Sequence, residues 1–215
     1  MDFKRIAVYL GAEVEGFSGP IEAAKTPSGQ SNPTYILTTP NGKYVLRSKP
    51  AGKLLKSAHA VDREFRVLKA LHALGLPVPE VFVLCDDRTV SDTMFYLMAF
   101  SKGENYGDPR LQGLTPQARR EVYDQMNKGL AAVHAVDLAQ AGLLDYGPPG
   151  NYFKRQLSRW AKQYEASATE AIPAMNALIN WLATHQPSDD GAVTLVHGDW
   201  RIDNLLINIG QKRER

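Results

Sequence analysis

The sequence predicts an α+β chain in two parts: an N-terminal lobe built on a β-sheet with one key helix, then a mostly helical lobe. Three observations carry this. Up to residue 100 most apolar residues fall in short runs separated by turn signals, as strands require. Residues 57–71 depart from that habit, with apolar side chains at helical spacing. After Ser101-Lys102-Gly103-Glu104 the spacing turns helical for most of the remaining chain, so residues 1–100 form the first lobe and 101–215 the second.

Bulk properties exclude several classes. A chain of 215 residues with 44% hydrophobic content can bury a sizeable core. A net charge of +2, with scattered lysines and no aromatic–basic interleaving, argues against nucleic acid and membrane surfaces as partners. The single cysteine, Cys85, lies in an apolar run and excludes an intramolecular disulfide framework. The N-terminus carries acidic residues and no long apolar segment, and no stretch reaches membrane-spanning length. The expectation is a cytoplasmic chain.

In order, residues 2–10 read as a short helix with Phe3, Ile6 and Leu10 on one face. A breaker, Gly16 to Pro20, and a polar run, Lys25 to Asn32, precede a strand from Thr34 to Thr38. Asn41-Gly42 marks a hairpin, and Lys43 to Arg47 is its return strand. The small residues of the polar run suit a loop whose backbone N–H groups fold over phosphates, although an ordinary Ser/Gly loop has the same composition. Gly52-Lys53 lacks the other letters of a Walker A loop, and the lysines around it read as a solvated basic loop.

The next helix has Ser57 as candidate cap and Val61, Phe65, Leu68 and Leu71 on its apolar face. Glu64 falls on that face, three residues after Val61 and four before Leu68. An unpaired carboxylate there is costly, so it either reaches water at the stripe's edge or finds a cation, and Arg47 is the candidate. Strands Val81 to Cys85 and Met94 to Phe100 complete the lobe; the second is apolar throughout, as for a strand covered on both faces.

In the second lobe, Thr115-Pro116 caps a helix with Val122, Met126, Leu130 and Val133 on its buried face. Phe153, Leu157, Trp160 and Tyr164 form a helical stripe that reads as core, and Met175, Leu178 and Leu182 mark another helix opening near Pro173. Val193 to Val196 and Leu205 to Ile209 read as strands flanking a polar loop. Within that loop His197, Asp199 and Asn204 match H-x-D-x-x-x-x-N. Phosphoryl transfer uses such a set: an Asp to orient and deprotonate the attacking hydroxyl, and an Asn to hold a metal. A solvated hairpin loop would carry the same letters.

Taken together, SGQSNPTYIL (28–37), KYVLRSKP (43–50), SAHAVDREFRVLKAL (57–71), FYLMAF (95–100), LAAVHAVDLAQAGLLDYG (130–147), YFKRQLSRWAKQY (152–164) and LVHGDWRIDNLLI (195–207) resemble the aminoglycoside phosphotransferase and choline kinase-like family, with its protein-kinase-like fold. More narrowly, the chain resembles the kinase domains fused to acyl-CoA dehydrogenases. The resemblance implies ATP and Mg²⁺ as cofactors and a small-molecule hydroxyl, such as that of a hydroxyacyl compound, as acceptor. It implies Asp199 as catalytic base with His197 bracing its loop, and Asn204 as metal ligand. Ser28, Gly29, Gln30, Ser31 and Asn32 would cover the nucleotide phosphates, Arg47 would contact them with Glu64 as its anchor, and Met98, Ala99 and Phe100 would be the adenine hinge. The departure is at the C-terminus. The family carries a second metal-binding Asp shortly after the Asn, then further helices; after Asn204 this sequence has only Glu214 as a carboxylate side chain. The implied second lobe is therefore incomplete, and the alternative is a truncated, catalytically inactive relative that binds nucleotide weakly or acts through a partner. Faces around the 153–164 stripe and the final strand are then expected to be uncovered and to favour self-association.

Overall fold

The computed structural model describes residues 1–26, 32–50, 60–188 and 191–209. Five antiparallel strands form one sheet in the order β1-β2-β3-β5-β4: β1 (Glu22–Lys25), β2 (Thr34–Thr39), β3 (Gly42–Ser48), β4 (Val81–Cys85) and β5 (Phe95–Ala99). The β2–β3 hairpin closes where expected, with Thr39 opposite Gly42 and the glycine at φ +143°, a conformation L side chains rarely adopt. Strand β1 has no counterpart among the expected elements. Its residues Glu22-Ala23-Ala24-Lys25 have little strand propensity, and it forms by pairing with β2.

Helix α1 (Phe3–Glu13) starts on Asp2, whose carboxylate accepts from the Lys4 and Arg5 amides. It lays Ile6 and Leu10 on one face of the sheet, in a core with Phe17, Leu37, Leu46, Cys85, Phe95 and Leu97. Helix α2 (Val61–Ala73) packs against β4 and β5; its N-cap is Ala60, while the expected cap, Ser57, lies outside the described residues. Strand β5 is thus buried on both faces, with Phe95, Tyr96 and Leu97 each at most 2% exposed.

Helix α3 (Pro116–His134) is capped by the Thr115 hydroxyl, which accepts from the Ala118 amide. It buries Ala118 and Val122 against Leu111, Leu114, Ile202, Ile207 and Ile209. Two expected strands do not form. Residues 193–196 join no strand among the described residues and run over the surface, with Leu195 buried, Val193 and Val196 exposed, and the Thr194 hydroxyl donating to the His134 carbonyl. Among the described residues, 205–209 contribute one bridge, Glu104 to Ile207. An apolar run specifies burial, and here packing on α3 supplies it without a ladder. The final run is therefore covered on one side, with Ile207 and Ile209 at 5% and 7% exposure, while Leu206 is 53% exposed.

Helices α4 (Tyr152–Ser167) and α5 (Pro173–Thr184) pack on each other, and neither fully buries a residue. Phe153 and Trp160 are 49% and 55% exposed, so the stripe is amphipathic as expected but not core.

Candidate active site

Two clusters form the site. The first begins with strand register. Arg47 on β3 lies directly opposite Tyr96 on β5, so both side chains leave the same sheet face, where α2 presents Glu64. The Glu64 carboxylate accepts from three side chains: Oε2 from Arg47 Nε at 2.7 Å and the Tyr96 hydroxyl at 3.2 Å, Oε1 from Asn32 Nδ2 at 2.8 Å. A second Arg47 nitrogen reaches the Thr34 hydroxyl at 3.4 Å. The side chains of Arg47 and Glu64 are 31% and 34% exposed, so their pairing escapes both full solvent screening and full desolvation. Burial, reinforced by the Glu64 charge and opposed by Arg47, pushes the Tyr96 phenol well above its ordinary value and keeps it a donor.

Of the residues expected over the phosphates, Ser28, Gly29, Gln30 and Ser31 lie outside the described residues. Asn32 is only 2% exposed, and its amide is directed onto Glu64. It ties the start of β2 to α2. Met98 lies between Val45 and Val81 in the sheet, and the Ala99 N–H donates to the Glu80 carbonyl at 2.8 Å. That amide is therefore engaged within the sheet. Phe100 follows, with the Lys43 ammonium 5.7 Å from its ring centre.

The second cluster is the 197–204 loop, which ends in a 3₁₀ turn, Ile202–Asn204. Asn204 Nδ2 donates to the Asp199 carboxylate at 2.9 Å and to its backbone carbonyl at 3.0 Å. His197 Nδ1 accepts the Asp199 N–H at 3.2 Å, which braces the loop at the aspartate. Arg201 Nε stands 3.4 Å from the other Asp199 oxygen. Between these residues Trp200 turns inward. Its ring packs over Gly129 of α3, where an added Cβ would meet the indole at 3.2 Å, and its edge meets His197 at 5.1 Å between ring centres. Among the described residues, the Trp200 indole nitrogen is the buried side-chain polar atom without a hydrogen-bond partner.

The donor set fits a hard cation. Both contacts of Asn204 with Asp199 use its amide nitrogen, which leaves the carboxamide oxygen for a metal beside the Asp199 carboxylate. Among the described residues no group of three or more His, Cys, Asp and Glu converges on a metal position. Mg²⁺ does not require one, since it is commonly held by one or two protein oxygens plus substrate phosphates and water.

The segment after β5 joins the clusters. Glu104 and Ile207 exchange backbone hydrogen bonds at 2.8 and 2.9 Å. Asn105 Nδ2 donates to the carbonyls of Asp203 and Leu205, on either side of Asn204. Gly103 lies close under Leu206, where a Cβ would come within 3.0 Å. The roles of Tyr96, Thr34, Asn105 and Gly129 were not read from the sequence. Only Tyr96 had a usable signal, since strand alternation separates it from Phe95 and Leu97, whose side chains join the α1 core.

Residues 22–214 match the model of the APH family, a phosphotransferase enzyme family. The chain is 48% identical over 191 residues to mouse acyl-CoA dehydrogenase family member 10, covering 89% of this chain and 18% of that protein. It is 40% identical over 211 residues to human acyl-CoA dehydrogenase family member 11, covering 96% of this chain and 27% of that one. It therefore spans about a fifth to a quarter of the length of these relatives. Among solved structures, a Ralstonia eutropha protein classed with the aminoglycoside phosphotransferases superposes with a TM-score of 0.85 at 43% identity, covering 99% of this chain and 62% of that one.

Proposed function

Because this chain belongs to the APH phosphotransferase family, we propose that it is the kinase region of an ATP-dependent small-molecule phosphotransferase. The observation that carries this reading is the contact of Asp199 with Asn204 at 2.9 Å, a proton acceptor joined to a metal ligand on one exposed loop. In the reaction, the acceptor oxygen forms a bond to the γ-phosphorus as the bond to the β–γ bridging oxygen breaks. The hydroxyl proton passes to the Asp199 carboxylate, and ADP departs. Asn204 holds Asp199 in line and offers its carboxamide oxygen to Mg²⁺, which when bound offsets the charge on the phosphates. Arg47, fixed by Glu64, contacts the phosphates as a planar fork rather than a point charge.

By analogy with relatives named for acyl-CoA dehydrogenases, the acceptor in this reading is a hydroxylated acyl compound rather than an aminoglycoside. Part of the same reading is that the protein works in the cytoplasm, where Mg-ATP is at hand; among the described residues no helix is long and apolar enough to cross a membrane.

Calorimetric titration of Mg-ATP into the purified chain tests the nucleotide half, with a metal-free run beside it. Binding in the micromolar range that needs Mg²⁺ is expected. Transfer to a panel of hydroxyacyl compounds tests the other half: Asp199→Ala should keep nucleotide binding and lose about 10²–10⁴-fold in rate. A folded chain that binds no Mg-ATP sinks the reading.

A further inference from the structure

Glu64 has an arginine close on either side of it in sequence, and both point away from the sheet. Arg63 donates to the Tyr146 carbonyl at 2.6 Å, and its guanidinium lies 4.0 Å from the Tyr146 ring centre. Arg66 forms a two-pronged pair with Asp145, NH1 to Oδ2 at 3.1 Å and NH2 to Oδ1, while NH2 also donates to the Gly142 carbonyl at 2.7 Å. Further along α2, Leu71 enters a buried cluster with Val133, Leu143 and Leu195. One helix is thus fastened to residues 142–146 from Arg63 to Leu71, a rise of roughly 12 Å.

The angular arrangement gives these contacts a purpose. On a helical wall, residue 63 lies about 100° from residue 64, and residue 66 about 160° from it. Glu64 holds the sheet while its neighbours hold the second lobe on the far side. A helix gripped on one face can roll; a helix gripped on opposite faces has its rotation fixed. Rolling would carry Glu64 away from Arg47, Asn32 and Tyr96 together.

We propose that Arg63, Arg66 and Asp145 are positioning residues that clamp α2 to the 142–146 segment and so keep Glu64 on Arg47. The inference deepens the kinase reading and rests on it for its link to nucleotide. Each exposed ion pair alone contributes little. The clamp works because a forked pair, two hydrogen bonds to carbonyls and a ring contact engage one short segment from the side away from Glu64, while Leu71, about 20° from Glu64 around the helix, packs on Leu143 from Glu64's own side. Leu195 stands two residues before His197, so the same segment that steadies Glu64 also supports the entry to the 197–204 loop.

Hydrogen exchange on the free chain tests the clamp without nucleotide. With Arg63→Ala and Arg66→Ala combined, amides of α2 should exchange about tenfold faster, with those of β2, β3 and β5 unchanged. Asp145→Asn should give a smaller change of the same kind, and serves if the double variant fails to melt cooperatively. Exchanging the charges, Arg66→Asp with Asp145→Arg, should recover part of the α2 protection. Mg-ATP affinity should weaken in step with α2 exchange. Unchanged α2 exchange, or equal acceleration throughout the sheet, overturns the clamp. So does equal Mg-ATP affinity in clamp variants and a binding-competent parent, while the kinase reading stands. A parent that binds no Mg-ATP but shows the selective α2 response defeats the kinase reading and leaves the clamp supported.

Discussion

The Glu64 cluster and the Asp199 loop are built in opposite ways. Glu64 faces the sheet from α2, its side chain 34% exposed, and receives three side-chain donors, drawn from β3, β5 and the segment leading into β2. Asp199 stands with its side chain 62% exposed, and its partners, Asn204 and Arg201, come from its own loop. The difference matches the task proposed for each carboxylate. A group that only orients a cation gains from every donor, because each further fixes its geometry. A group that must receive a proton has to leave a lone pair, and room for the incoming hydroxyl, uncommitted. The cluster is therefore finished before ligands arrive, and the loop is completed by them.

Glu64→Ala breaks the finished half most severely. It leaves Arg47, Asn32 and Tyr96 without their shared acceptor, so a loss of about 2 kcal/mol in urea denaturation is expected. Mg-ATP affinity should fall at least about tenfold, the equivalent of losing one charged hydrogen bond. Asp199→Ala should move the same denaturation curve by no more than about 0.5 kcal/mol, as at an exposed position; an equal loss in the two variants would erase the contrast.

Tyr96→Phe is the gentler probe. It keeps the buried ring and deletes one donor, so stability should drop by about 1 kcal/mol with a few-fold loss in nucleotide affinity. Gly129→Ala addresses the loop half and should be smallest in stability. The gain in helix propensity, about 1 kcal/mol, opposes a crowding cost of similar size against Trp200. Transfer rate should fall while Mg-ATP affinity holds, because the displaced indole carries Asp199 with it. A fall in affinity instead would show that the halves are not separable in this way.

Much of the finished half was legible from pattern. Helical spacing put Glu64 on an apolar face, and the hairpin put Arg47 at the end of a neighbouring strand, so a costly charge and its remedy could be paired in advance. The other donors were hidden for separate reasons. Asn32 was read with the loop it ends, and nothing in its type says which way an amide turns. Tyr96 lay in a run so apolar that its hydroxyl was overlooked. The clamp was less accessible still, because Arg66 and Asp145 are 79 positions apart and each is an ordinary exposed charge on its own. In the loop half the letters were readable but their frame was not. Apolar runs on either side of the motif suggested two strands, whereas the chain buries Leu195, Ile207 and Ile209 by packing.

Trp200 has a use beyond architecture. Of the chain's three tryptophans, Trp160 and Trp181 are 55% and 53% exposed on α4 and α5, and the third is seated against Gly129 next to His197. With the two exposed indoles replaced by phenylalanine, the remaining emission would come from the residue adjoining Asp199. Its wavelength would register whether the indole is seated or released to water. The protein thus carries a built-in optical probe beside the loop proposed to do the chemistry.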